Sequence, residues 1–232
     1  MEYFDAVYCI CMADRPGKRN FLLKQIKHFY PDLEPIVFDA VNTRHIKGKR
    51  HHIGCAMSHR GVILDAKTKG FKRIMVFEED AILHKDFKNI LSKAAREIKG
   101  RPWDLFYLGA HCQRNIKKNP FPKEENCQYL LKPTAMTCTH GICYNETFYD
   151  WVIDKIPDEI EAAHKWCRNN VAIDQWFRNF QNTKNEGYKK YSGRYPVSYI
   201  VGPIITTQSF MTTDFHARAQ DKRKDFLYEK EI

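Results

Sequence analysis

Apolar residues along the first half of the chain fall into two alternating patterns. "DAVYCICM" (5–12) is a continuous β-prone run that gives way to the turn segment "ADRPGKR". Residues 18–29 then place Leu22, Ile26 and Phe29 on one face, the spacing of a half-buried helix. "EPIVFDAV" (34–41) predicts a second strand, and "IGCAMSHRGVILDAKTKG" (53–70) a helix stopped at Gly70. "FKRIMVFEEDAIL" supplies a third strand. Residues 86–99 form an amphipathic helix through Phe87, Ile90, Leu91, Ala94 and Ile98, and "WDLFYLG" (103–109) is a fourth strand.

Further along, "QYLLKPT" and "THGICYN" predict strands, 146–156 and 171–182 helices, and "VSYIVGPIITTQ" (197–208) a closing strand. Residues 110–127 and 183–196 are polar and basic and read as surface loops. Strand and helix in alternation imply an α/β fold, a mainly parallel twisted sheet with helices on both faces. With no repeat, low-complexity tract or linker, one domain is expected over 1–210, and 211–232 is a charged C-terminal segment packed on it or trailing from it.

Composition narrows the class. No apolar run approaches the ~20 residues of a membrane-spanning helix. The N-terminus is acidic where a signal peptide is basic, and it lacks a small-residue cleavage site. The expectation is a cytoplasmic protein of bacterial or viral type. Eight cysteines between positions 9 and 167 show no framework spacing, so reduced thiols are expected, with Cys9 and Cys11 in the core. The net charge of +10 favours anionic partners, although a merely solubilising surface has the same signature.

Against that basic background, "IMVFEEDAIL" (74–83) sends four apolar residues into three acidic ones. Buried unpaired carboxylates are costly, and crowding adds repulsion. In a parallel α/β sheet the exits of the strands face the ligand crevice. Strand alternation puts Glu78 and Asp80 on one side and Glu79 on the other. Two carboxylates facing one way suit Mg²⁺ or Mn²⁺, which would relieve the repulsion and meet a diphosphate. A solvated turn, or a cap for the helix beginning near Asp86, is the plainer reading.

Several segments together resemble glycosyltransferase family 25. They are "YCICMADRPGKR", "FDAV", "GCAMSHRGVI", "VFEEDAIL", "WDLFYLG", "HGICYN" and "IDQWF", in that order and covering most of the chain to about residue 210. The Gly-Cys-Ala-x-Ser-His segment followed by the acidic cluster is the most specific. The resemblance implies a GT-A-like fold and inverting transfer of a hexose from a nucleotide-diphosphate sugar, a UDP-sugar by first choice. The acceptor would be a saccharide or a hydroxylysine-bearing polypeptide. The family's acidic segment is usually Glu-Asp-Asp, and Glu79 departs from it.

Under this resemblance Asp80 and Glu78 are the metal ligands, with His216 of "TTDFHAR" a third. Asp174 in "AIDQWFRNF" is the general base or an acceptor binder, its alternative being a helix N-cap. Arg15, Arg19, Ser58, His59, Glu79 and Gln208 are assigned to the nucleotide-sugar site. Solvated arginines, and a packed helix turn for Ser58 and His59, are the alternatives. His52, Cys55 and His59 also share a zinc-like spacing, but no Cys-x-x-Cys pair completes it. The competing function is a metal-dependent nuclease using the same carboxylates and the basic surface. No second acidic cluster with a nearby lysine supports it, and no nucleic-acid partner is expected. A non-catalytic module on the same fold is the third possibility.

Overall fold

A computed structural model describes residues 2–46, 50–112, 121–181 and 183–208. The first strand, β1 (Ala6–Cys11), is buried along its whole length, as a continuous apolar run requires. Pro16 opens α1 (Pro16–Phe29), where its missing N–H costs nothing. After β2 (Ile36–Asp39) and α2 (Arg50–Thr68), β3 (Arg73–Glu78) lies beside β1 with Ile10 opposite Glu78. Both strands therefore end at the same level.

The third strand predicted over 71–83 is broken. A turn at Glu79–Asp80 separates β3 from β4 (Ala81–Leu83), which leaves the main sheet. Then come α3 (Phe87–Ile98), β5 (Leu105–Tyr107), β6 (His111–Cys112), β7 (Leu130–Leu131), β8 (Met136–Thr137) and β9 (Gly141–Asn145). The C-terminal half holds α4 (Glu146–Lys155), α5 (Ile160–Asn170), α6 (Ile173–Phe177) with a 3-10 turn at Arg178–Phe180, and α7 (Glu186–Ser192). It closes with β10 (Ser198–Val201) and β11 (Thr206–Gln208).

The fold is α/β, as expected. Its seven-stranded sheet has the order β2-β1-β3-β9-β5-β10-β7. Five strands share one direction, while β9 and β7 run antiparallel to their neighbours. Alternate residues of β1 feed two cores. Val7, Cys9 and Cys11 pack with Leu22, Ile26 and Phe29 of α1 and with Phe87, Ile90, Leu91, Ala94 and Ile98 of α3. Ala6, Tyr8 and Ile10 pack with α2, α4 and α6 on the other face. The helical faces read from sequence are the buried ones. The four large buried side chains Phe87, Ile90, Leu91 and Ile98, at about 1.5–3 kcal/mol each, make α3 a strong anchor.

Three expectations are corrected. The strand predicted over 197–208 splits between two sheets, because β11 pairs with β4 rather than continuing β10. Residues 183–196 are not all loop: Asn185 caps α7 by accepting from Tyr188 N–H at 2.8 Å, and Tyr188 is fully buried. A helix over Ile160–Asn170 appears where the pattern predicts nothing, because only Ala163 and Cys167 of it are buried. Among the described residues no helix is long and apolar enough to cross a membrane.

Candidate active site

The "GCAMSH" segment lies on α2 with two tasks on adjacent stripes. Gly54 and Ser58, one turn apart, grip the chain leaving β2. Ser58 Oγ donates to Gly54 O at 2.6 Å and accepts from Val41 N–H at 2.9 Å. A Cβ on Gly54 would meet Val41 O at 2.6 Å, so only glycine allows this approach. Ser58 is thus fully occupied with backbone. The next stripe, Cys55 and His59, faces the end of β3.

There Glu78 gathers three contacts on one oxygen, Oε1. His59 Nε2 is at 3.1 Å, Thr139 Oγ1 donates at 2.5 Å, and Cys55 Sγ lies at 3.9 Å. The fully buried His59 is held from behind by Tyr144 of β9, whose hydroxyl sits 2.9 Å from Nδ1. A carboxylate facing Nε2 makes that nitrogen a donor, and in the neutral ring the Tyr144 hydroxyl donates to Nδ1. Burial raises the Glu78 pKa, but the hydrogen bond and charge of His59, Thr139 and the nearby His140 outweigh it and hold the carboxyl below its ordinary value. Burial pushes the Cys55 thiol well up, with Glu78 adding to it.

Asp80 has the opposite surroundings. Burial, then the charge of Glu78, pushes its pKa up to about 7. Its Oδ2 accepts from Gln208 Nε2 at 3.3 Å, a contact set by register, since Gln208 of β11 pairs with Ala81 of β4. Its Oδ1 is buried with no hydrogen-bond partner among the described residues. Glu79 turns the other way, towards the loop leaving β1. It accepts from Met12 N–H at 2.8 Å through Oε2 and from Arg15 Nη1 at 2.8 Å through Oε1. Lys18 stands 4.0 Å away. The opposed directions of Glu78 and Glu79 match the strand-alternation expectation, although a turn produces them.

Because β9 is antiparallel to β3, the residues entering it lie beside the C-terminal end of β3, and Glu78 N–H donates to His140 O at 3.1 Å. Cys138, in the left-handed region with φ 73°, donates its N–H to Asp174 Oδ2 at 2.9 Å. This brings Asp174 to the site from the first turn of α6, whose N-cap is Ala172, so Asp174 is not the cap. Asp174 Oδ1 accepts from Gln175 N–H at 2.8 Å. Glu78, Asp80, His59 and Gln208 thus form one cluster, Asp174 adjoins it through Cys138, and Glu79 with Arg15 closes the β1 side. Arg19 lies on α1, where its charge reaches Cys9 and Cys11. His216 lies outside the described residues.

The zinc-like trio does not assemble as spaced: His52 Nδ1 is bound to Val171 O at 2.8 Å, and Glu78 stands with Cys55 and His59 instead. Thr139, His140 and Tyr144 were absent from the sequence-derived set. Both ring nitrogens of His140 are buried, and burial lowers its pKa against the pull of Glu78 and of a hydrogen bond with the Thr206 backbone. The available signal was the polar lead "CTH" before an apolar strand, legible only once the antiparallel placement of β9 is known.

An α/β sheet delivering carboxylates to its strand exits is the frame of a ligand-binding α/β protein. The model of "Glycosyltransferase family 25 (LPS biosynthesis protein)" matches residues 48–218, and the chain belongs to that family. It is 26% identical over 218 residues to "Probable inactive glycosyltransferase 25 family member 3" of Bos taurus, covering 73% of this chain and 35% of that protein. The Homo sapiens "Inactive glycosyltransferase 25 family member 3" is 26% identical over 219 residues, covering 73% of this chain and 35% of its own length. The chain thus spans about a third of the length of these relatives. A solved glycosyltransferase "involved in the glycosylation of the major capsid of PBCV-1" aligns with TM-score 0.45 and 9% identity, over 90% of this chain and 94% of that one.

Proposed function

We propose that this chain is an inverting, metal-dependent glycosyltransferase domain moving a hexose from a nucleotide-diphosphate sugar, a UDP-sugar by first choice, to an acceptor hydroxyl. The acceptor would be a saccharide or a hydroxylysine-type polypeptide. The supporting observation is Asp80, whose Oδ1 is buried without a partner among the described residues and whose carboxylate neighbours that of Glu78. A doubly acidic, carboxylate-based donor set fits Mn²⁺ or Mg²⁺. Asp80 and Glu78 would hold the ion, with His216 as a third ligand. When bound, it supplies Lewis-acid stabilisation to the departing diphosphate.

The remaining roles belong to the chain. Gln208 orients Asp80, and His59 orients Glu78. Ser58 fixes α2 to the end of β2 and so sets where His59 stands. Glu79 tethers Arg15 at the exit of β1, where Arg15 and Arg19 would meet phosphate oxygens. Asp174 takes the proton of the acceptor hydroxyl. Its two backbone hydrogen bonds fix its orientation and leave room among the roughly four acceptor positions of a carboxylate. A single base opposite the leaving group gives inversion without a covalent intermediate.

The names of the mammalian relatives favour a second reading, a donor-binding module without transfer. One experiment separates them. UDP-hexose with Mn²⁺ should raise the Tm, and mass spectrometry should find a product with mixed nucleotide sugars and acceptors. Asp174→Asn should keep the Tm shift and lose product by roughly 10²- to 10⁴-fold. A Tm shift with no product from any acceptor supports the second reading. No shift from any nucleotide sugar refutes both.

A further inference from the structure

Cys55 Sγ, His59 Nε2 and a Glu78 carboxylate oxygen all lie within 4.8 Å of one another at the junction of α2 and β3. They offer sulfur, nitrogen and oxygen, a set that Mg²⁺ and Mn²⁺ use poorly and that borderline dications favour. In a tetrahedral zinc site with bonds of about 2.0–2.3 Å, neighbouring ligand atoms stand about 3.3–3.6 Å apart. Here Nε2 to Oε1 is 3.1 Å and Sγ to Oε1 is 3.9 Å, so modest side-chain movement forms the site. The spacing is built in, because Cys55 and His59 are one helical turn apart and both face the end of β3.

The surroundings are those of a metal ligand set. His59 is backed at Nδ1 by the Tyr144 hydroxyl at 2.9 Å, the partner that fixes a ligating imidazole. Thr139 Oγ1 donates to Glu78 Oε1 at 2.5 Å and lies 3.8 Å from Cys55 Sγ, so it orients the carboxylate ligand as a hydrogen-bonded support. We infer that Cys55, His59 and Glu78 form a site for a Zn²⁺-class ion, separate in chemistry from the hard-cation position at Asp80 and sharing only Glu78 with it. Binding releases the Cys55 thiol proton to solvent and moves the imidazole proton from Nε2 to Nδ1, which then donates to Tyr144 Oη. The inference does not rest on the transferase reading.

Cobalt tests it on the full chain, since thiolate–Co²⁺ charge transfer reports sulfur ligation directly. Metal-free protein titrated with Co²⁺ should develop that band with about one ion bound per chain, and Zn²⁺ should displace it. Cys55→Ser should abolish the band with unchanged circular dichroism. Glu78→Gln should weaken Zn²⁺ by roughly tenfold or more in a chelator competition. Asp80→Asn should keep the band, which separates this site from the donor cation. Absence of the band in the folded wild type overturns the inference, as does a band that survives in Cys55→Ser or vanishes in Asp80→Asn. Should Cys55→Ser fail to fold, unchanged Zn²⁺ affinity in Glu78→Gln overturns it equally.

Discussion

Asp80 Oδ1 and Glu79 show two fates for acidic side chains one residue apart. Glu79 has found a backbone N–H and a guanidinium, whereas Asp80 Oδ1 has no partner among the described residues and burial pushes the carboxyl pKa up to about 7. A folded-state value above the unfolded one means the native state holds the extra proton, so stability falls as pH rises from about 4 to about 7. In chelator, Asp80→Asn should therefore stabilise the protein by on the order of 2 kcal/mol at pH about 8, and by nearly nothing near pH 4. Paired thermal melts at the two pH values measure this. The same variant should lose the Mn²⁺-dependent part of donor stabilisation; an unchanged donor shift would remove Asp80 from the metal role. Glu79→Asp, which restores the family's usual residue, shortens the arm that spans Met12 and Arg15. A loss of about 1 kcal/mol in denaturant unfolding is expected, with weaker donor binding.

At the scale of elements, the pairing of β4 with β11 presents both Asp80 and Gln208, and it depends on Gly109. A Cβ there would meet Thr206 O at 2.0 Å and Thr206 Oγ1 at 2.4 Å. Backbone cannot yield as a flexible side chain does. Gly109→Ala should cost about 3 kcal/mol by calorimetry and displace β11. A donor-induced Tm shift as large as that of wild type would show that β11 has no part in the site. This dependence also explains what was legible in the sequence. Helices α1 and α3 announced themselves through an apolar stripe that any amphipathic helix must show, and β1 and β3 through unbroken apolar runs. The break at Glu79–Asp80 and the departure of β11 were hidden, because each strand is defined by a partner about 125 residues away in sequence. Helix α7 was hidden for a related reason: its polar sequence is held by Tyr188 lodged against Phe148, Trp151 and Phe180. In the site, Glu78 and Asp80 followed from position after a buried strand. His140 did not, since nothing local says that β9 runs backwards between β3 and β5.

For the whole molecule the unresolved tension is between an acidic crevice and a chain of net charge +10. Part of the surface charge is tied up in weak pairs, such as Lys67 with Asp150 and Lys69 with Asp65, and the excess of Lys and Arg over Asp and Glu remains beyond them. Such a surface attracts any polyanion through counterion release, without selectivity and with steep salt dependence. The acidic cluster would do the reverse: Glu78 and Asp80 would repel phosphate until a cation intervened. The two modes therefore respond differently to salt and to chelator. On the proposed function, donor stabilisation by UDP-hexose should vanish with chelator and survive a rise in salt, because an ion held by Glu78 and Asp80 would be partly buried and poorly screened. Nucleic-acid binding should ignore chelator and vanish with salt. Melting curves and fluorescence anisotropy across a salt series, each with and without Mn²⁺, measure both. Cation-dependent nucleic-acid binding that persists at high salt would move the carboxylates from sugar transfer to nuclease chemistry. The opposite pattern leaves the positive surface with only a general attraction for anions.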